Sequence, residues 1–436
     1  MSIDVHTSPL SGERGQAIAA AIRQRLVSAD QPVVGLIDLN GLRRAAAELH
    51  AAFGFPGVEV RHTFAVKAAA LVPVLRHLWH AGIGAEVASP GELAIARAAG
   101  ISAGHTVLDS PAKSEAELRE ALELGIAVNA DNPQELSRID ALVRRAPAVG
   151  PVGVRVNAQV GAGSIGAMST ATATSKFGIA LRDEGAEEWL VEAFLKRPWL
   201  TRLHTHTGSQ GMPLALMAEG VAAVHALAEK INAAAGRRQI AVLDIGGRLP
   251  VNFSSDVMTP TFRDYAQTLR AVVPGLFDGR YGIVTEFGRS LAAKQGVVLA
   301  RVEYTKSAGG RAIAVTHAGA QVATRTVFAP ESWPLRVEAW DASGRPREGT
   351  AVPQDIAGPC CFAGDLVARE RPLPLLEQGD LVALLDTGAY YFSNHFAYNS
   401  LPRPAVYGYT ADETSVRFEI LRRPQTLDEL VAESGG

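Results

Sequence analysis

The chain has 436 residues, 47% hydrophobic and 20% charged, enough apolar mass for a conventional core and two or three domains. Lys and Arg number 42 against 45 Asp and Glu, a net charge of −3, which leaves no basic surplus to steer nucleic acid. The only two cysteines, Cys360 and Cys361, are adjacent and exclude a disulfide framework, and no apolar run reaches the roughly 18 residues of a membrane span.

Met1–Arg14 is polar and lacks a signal-peptide pattern, so a cytoplasmic protein is expected. Residues 1–34 read as an N-terminal segment with one helix, Glu13–Ser28, expected to pack with a later β domain. Pro32–Leu39 reads as a strand, with Asn40 capping a helix over Gly41–Ala52. From Thr63 a regular alternation begins. Eight short apolar runs, Thr63–Ala68, Gly84–Ser89, Thr106–Ser110, Ala127–Ala130, Val152–Asn157, Leu203–Thr207, Ile240–Gly246 and Gly282–Gly288, each end in polar or glycine residues. Helical stretches between them include Leu71–Ala81, Pro90–Ala99, Ser114–Leu124, Pro133–Arg145, Gly185–Lys196 and Pro213–Ala235. This predicts an α/β fold, a parallel (β/α)8 TIM barrel over residues 35–292. An open doubly wound sheet is the alternative, but it would not gather all the polar strand ends in one crevice.

Gly161–Ser175, rich in Gly, Ala, Ser and Thr, reads as a long loop after the fifth strand. Beyond residue 293 the rhythm changes to short strands, Val297–Tyr304, Ala312–Thr316, Leu335–Ala339, Leu381–Asp386 and Ser415–Leu421, separated by Pro, Gly and Asp. Residues 293–436 therefore read as a second, mainly β domain, with the Pro- and Gly-rich stretch Ala329–Pro359 looping over its surface.

Barrels carry their chemistry at the C-terminal ends of the strands. Those ends hold Lys67, Ser89, Asn129, Arg155 with Asn157, His206 with Ser209, Asp244 with Gly246 and Gly247, and Glu286 with Gly288 and Arg289. A lysine at the end of a buried strand is desolvated, which suits an amine that forms a Schiff base. Glycines after strands seven and eight, with Arg289 beside them, suit a phosphate. Lysine plus phosphate site points to pyridoxal 5'-phosphate, and Glu286 then has a role beside the pyridine nitrogen. An ion pair of Glu286 with Arg155 or Arg289 is compatible with that role. His206 is placed to stack on the ring. A metal held by His204 and His206 is disfavoured, because no carboxylate or cysteine cluster accompanies them in sequence.

With these residues in order, the chain resembles the fold-type III pyridoxal-phosphate decarboxylases, the group that includes diaminopimelate, ornithine and arginine decarboxylases and shares an alanine-racemase-like barrel. The resemblance runs from about Pro32 to Leu427. Phe64–Ala68 matches the cofactor-lysine motif, Gly84–Ser89 the next block with Glu86 where aspartate is usual, and Ser175–Gly178 a further one. His206–Gln210 is similar to the segment whose histidine stacks on the ring and whose serine, Ser209 here, helps hold phosphate. Asp244–Arg248 matches the phosphate loop with Arg248 in place of a third glycine, and Glu286–Arg289 the pyridine-nitrogen segment with Phe287 in place of proline. Gly358–Asp365 is similar to the block of the catalytic cysteine, which implies that role for Cys361, and Gly388–Tyr390 implies a phosphate contact for Tyr390.

The resemblance implies a small-molecule amino-acid substrate and a homodimer with shared active sites, Cys361 being donated by the partner. It implies catalytic roles for Lys67, His206 and Cys361. Arg155, Ser209, Gly246, Gly247, Gly288 and Arg289 would join them around the cofactor. Arg289, Arg325, Phe362 and Tyr390 would line the substrate. One departure concerns that substrate. Phe362 stands where an acid usually holds a distal ammonium, and a buried ring there would leave the ammonium unpaired. Lysine, ornithine and diaminopimelate are therefore expected to be poor substrates, and Arg325 is expected to favour an amino acid with a distal carboxylate. A racemase or aldolase of the same fold, or a cofactor-binding homologue without catalysis, are the alternatives.

Overall fold

The computed structural model describes residues 9–161, 170–208, 210–247 and 249–436, in two compact units. Ser209, Arg248 and residues 162–169 of the expected long loop lie outside the described residues.

One unit comprises Arg43–Val251 and Met258–Leu291. Its strands Val60–Ala65, Gly84–Val87, Thr106–Leu108, Ala127–Ala130, Val152–Asn157, Leu200–His204, Val242–Asp244 and Gly282–Phe287 pair in parallel, each with the next. Gly282–Phe287 pairs back to Val60–Ala65, which closes the barrel. Burial on both faces explains why these strands are short continuous apolar runs. Some of the helices start at a side-chain cap. Ser89 accepts a hydrogen bond from the Glu92 N–H, and Ser114 with Glu117 forms a capping box. Ser89, read as a strand-end site residue, is thus occupied as a cap. No helix among the described residues is long and apolar enough to cross a membrane.

The other unit comprises the described residues up to Leu42, Asn252–Val257 and Ala292–Gly436. Its central strands run in the order Leu366–Pro374, Ala351–Ala357, Arg311–Thr316, Gly296–Ala308, Val33–Asp38, Ala405–Ala411, Val416–Arg422. Leu381–Leu385 adds to Gly296–Ala308 and in turn carries Val337–Trp340. Ile18 and Ala21 of the first helix share a buried core with Leu36, Leu299, Trp340 and Leu385. The excursion Asn252–Val257 is tied in by charge. The Lys294 ammonium donates to the Ser255 carbonyl at 2.6 Å and pairs with Asp386 at 3.0 Å, while Asp256 pairs with Arg14 and Arg336, each at 2.8 Å.

Three local expectations are corrected. The first helix spans Pro9–Arg23, not Glu13–Ser28, and Arg25 with φ +58 turns the chain away after it. The next helix begins at Leu39, and Asp38 rather than Asn40 serves its first turn, accepting from the Gly41 N–H at 2.8 Å. Asn40 instead donates to the Ala411 carbonyl. Ala329–Pro359 is not all surface loop, since Ala351–Ala357 is an inner strand. Its Pro353 lies opposite Pro372, beyond the stretch Gln354–Ala357 that pairs on the other side.

Candidate active site

Lys67 sits in a single turn, Val66–Ala68, immediately after the strand Val60–Ala65. Its side chain is 35% exposed rather than buried as expected, and its ammonium is hydrogen-bonded to the Glu86 carboxylate at the end of the neighbouring strand. Burial, opposed by Lys67 and reinforced by Glu286 and Asp109, pushes the Glu86 carboxyl up to about 8. Because this lies above its ordinary 4.5, the folded chain holds more protons than the unfolded chain across that interval. The site's contribution to stability is full below pH 4.5 and is lost as pH rises towards about 8. Glu86→Gln is expected to flatten the pH dependence of the denaturation midpoint of the cofactor-free protein over this window. A slope equal to that of the unsubstituted chain would remove Glu86 as its source.

The barrel's centre holds a buried charge array. Glu286 Oε2 lies 3.2 Å from His206 Nδ1 and 3.5 Å from His204 Nε2, and the other nitrogen of His204 lies 3.4 Å from Asp109 Oδ2. Asp109 also pairs with Arg155 at 3.2 Å. Burial pulls the Glu286 carboxyl upward, but His204 and His206 override it and hold it well below the usual carboxylate range. Burial pulls His204 downward, and Asp109 and Glu286 override that to hold its imidazolium form. His204 is thus a fully buried imidazole between two buried acids, which favour its charged form. Replacing it with Asn leaves both acids without it, at a cost of roughly 3–5 kcal/mol. Thermal unfolding of His204→Asn tests this. An unchanged Tm would show that the acids are balanced elsewhere.

The alternative partners considered for Glu286, Arg155 and Arg289, are engaged elsewhere. Arg155 is held by Asp109 with its guanidinium 4.4 Å from the Phe177 ring centroid, and Arg289 donates to Gln210 at 2.9 Å. Contrary to expectation, a carboxylate accompanies the two histidines. Ligand-type atoms of His204, His206 and Glu286 lie within 4.8 Å of one another. The histidines lie at and just beyond the end of Leu200–His204 and Glu286 lies on Gly282–Phe287, two strands apart with Val242–Asp244 between them, a proximity that the linear order of the residues conceals. Asp109 was missed, although it directly follows the strand Thr106–Leu108, the position at which the other site residues were sought.

After the strand Val242–Asp244, Gly246 takes φ +66 and Gly247 passes so close to the end of the next strand that a Cβ would lie 2.0 Å from the Glu286 carbonyl oxygen. Only glycine fits that crossing. The Gly246 N–H, read as a phosphate donor, donates to Asp244 Oδ1 at 3.0 Å. Asp244 is also paired with Arg202, and burial with the nearby Glu286 pushes its carboxyl up to about 7. Gly288 packs against Ala65 and Ala68, which places it beside the Lys67 turn.

In the β unit, Cys361 is exposed and its N–H donates to Asn399 Oδ1 at 2.8 Å, while Cys360 is buried. Burial pushes the Cys360 thiol up to about 11. Tyr390 carries φ +71, a strained conformation of the kind that concentrates at functional sites. Arg325, on the helix Ala320–Phe328 that sequence patterning missed, lies with its guanidinium carbon 3.9 Å from the Tyr390 ring centroid.

Pyridoxal 5'-phosphate fits the barrel residues on one observation. Glu286 Oε1 is buried and has no hydrogen-bond partner among the described residues, while Oε2 serves the histidines. A protonated pyridine nitrogen is a donor of the kind this anionic oxygen lacks.

The family profile described as "Pyridoxal-dependent decarboxylase, pyridoxal binding domain" matches residues 39–293. The chain is 33% identical to the diaminopimelate decarboxylase of Pseudomonas aeruginosa over 373 residues, 85% of each chain. It is 31% identical to that of Deinococcus radiodurans over 91% of this chain and 94% of the other. The crystal structure of diaminopimelate decarboxylase from Helicobacter pylori complexed with L-lysine superposes with a TM-score of 0.82 at 25% identity, covering 95% of this chain and 100% of that one. These relatives overturn the exclusion of diaminopimelate and the preference for a substrate without a distal amine. The exclusion assumed that Phe362 is a buried ring facing the substrate. In the structure it is half-buried, stacked on Phe328 at 5.6 Å between centroids and edge-on to Tyr398 at 5.5 Å. That ring is engaged by its own unit's aromatic cluster. By sequence, fold and the match over more than half its length, this chain belongs to the pyridoxal-dependent decarboxylases, and it is an amino-acid carboxy-lyase whose cofactor is pyridoxal 5'-phosphate.

Proposed function

We propose that the chain removes one carboxyl group from diaminopimelate, leaving lysine. The observation that carries the substrate is the likeness, over 85% of both chains, to a relative of that name. The buried anionic Glu286 supports decarboxylation over racemisation, which needs a weaker electron sink. Pyridoxal 5'-phosphate, when bound, supplies that sink for the electron pair left as carbon dioxide departs.

The chain's own residues have distinct tasks in this reading. Lys67 would hold the cofactor through its side-chain amine. Glu286, held by His204 and His206, would accept a hydrogen bond from the cofactor's pyridine nitrogen. His206 would lie against the cofactor ring. Ser209, Gly246, Gly247, Gly288 and Arg289 would hold the cofactor's phosphate, Tyr390 is a further candidate for it, and Arg155 braces Asp109. Cys361 returns a proton to the substrate carbon, and Arg325 takes the carboxylate that remains. The enzyme works in the cytoplasm as a homodimer with shared sites, each Cys361 serving the other copy.

The test is lysine formation and carbon dioxide release by the purified, cofactor-loaded chain. Turnover is expected with diaminopimelate and not with lysine or ornithine. Turnover of lysine or ornithine without diaminopimelate would reject the substrate assignment.

A further inference from the structure

Arg325 has a second aromatic neighbour that no motif suggested. Its guanidinium carbon lies 5.3 Å from the ring centroid of Trp333, besides the contact with Tyr390. Neither ring is loose. Trp333 is buried and packs edge-on against Phe253, 6.3 Å between centroids, and Tyr390 is held in its left-handed backbone conformation. A guanidinium lying over rings presents its face to them, and its N–H groups point outward in its own plane. Here one of those donors, Nη1, is buried with no hydrogen-bond partner among the described residues. Aromatic rings cannot satisfy it, whereas a planar anion in the guanidinium plane can.

We infer that Trp333 is a positioning residue that orients Arg325 towards the carboxylate remaining at the substrate's far end. This rests on diaminopimelate being the substrate. Removing one carboxyl from it leaves lysine, which keeps the far carboxylate. The diamine 1,5-diaminopentane has the same carbon spacing between its amines and no carboxylate.

The experiment compares both as inhibitors of the cofactor-loaded enzyme, with Trp333→Leu and Trp333→Phe. Trp333→Leu is expected to raise KM for diaminopimelate and the inhibition constant of lysine about five- to tenfold, in line with loss of a partly desolvated cation–π contact. Its kcat and its inhibition by 1,5-diaminopentane should change less than about twofold on the same reasoning. Trp333→Phe, which keeps a ring, should recover most of the loss. The ratio of the two inhibition constants does not depend on how much of a variant folds. Equal weakening of lysine and the diamine, or no weakening of either, overturns the inference while leaving the substrate assignment standing. A wild-type chain that fails to turn over diaminopimelate overturns both.

Discussion

Lys67→Ala is expected to lose the visible absorbance of the bound cofactor and to lower turnover by on the order of 10⁴-fold or more. The lysine's position carries this expectation. It lies in the turn after the strand Val60–Ala65, beside Gly288 and within hydrogen-bond reach of Glu86. The substitution should not unfold the barrel. It removes the cation beside a buried acid, but that acid already sits near 8 and takes up a proton at neutral pH. Absorbance spectra with added cofactor and circular dichroism separate the two effects. A variant that kept a tenth of wild-type turnover would take the covalent role away from Lys67.

Glu286→Gln keeps the shape of the side chain and removes its charge. A loss of roughly 10²- to 10³-fold in kcat is expected, the size seen when a preorganised electrostatic partner is removed. The pH dependence distinguishes this from a change in titration. Burial opposes ionisation of Glu286, yet His204 and His206 hold its carboxyl well below the ordinary range. It is therefore ionised throughout the working range, and the acidic limb of the rate profile does not report it. Glu286→Gln should lower the rate at every pH without moving that limb. A variant whose limb moved by a unit or more at nearly unchanged maximal rate would show that Glu286 acts by titrating.

The barrel was legible because its strands are buried on both faces. Each then reads as an apolar run ended by a polar residue, and Ala127–Ala130 and Val152–Asn157 were read at their observed bounds. The β unit was less so. Ala351–Ala357 contains Pro353 and the polar pair Gln354 and Asp355, and reads as loop by composition although it pairs on both sides. For the site, strand ends pointed to Lys67, His206 and Glu286 as candidates, but not to which of them touch. Glu286 meets histidines from Leu203–Thr207 rather than an arginine, because neighbourhood around a barrel depends on side-chain direction as well as strand order. Phe362 misled for a different reason. A residue's identity carries an argument about burial only once its neighbours are known, and those neighbours are aromatic rings of its own unit.

The strand Val33–Asp38 has its antiparallel partner in Gly296–Ala308 and its parallel partner in Ala405–Ala411. On the ribosome it emerges before any of the barrel sequence, yet both partners follow that sequence. For most of synthesis it is a buried-type strand, Val-Val-Gly-Leu-Ile-Asp, with nothing to pair with. The barrel can assemble locally while the chain grows, whereas the β unit must wait for its last third and close a very long loop. Fragments that start after the barrel lack the strand in the middle of that sheet, and their two exposed edges make aggregation the expected fate of a separately expressed C-terminal piece.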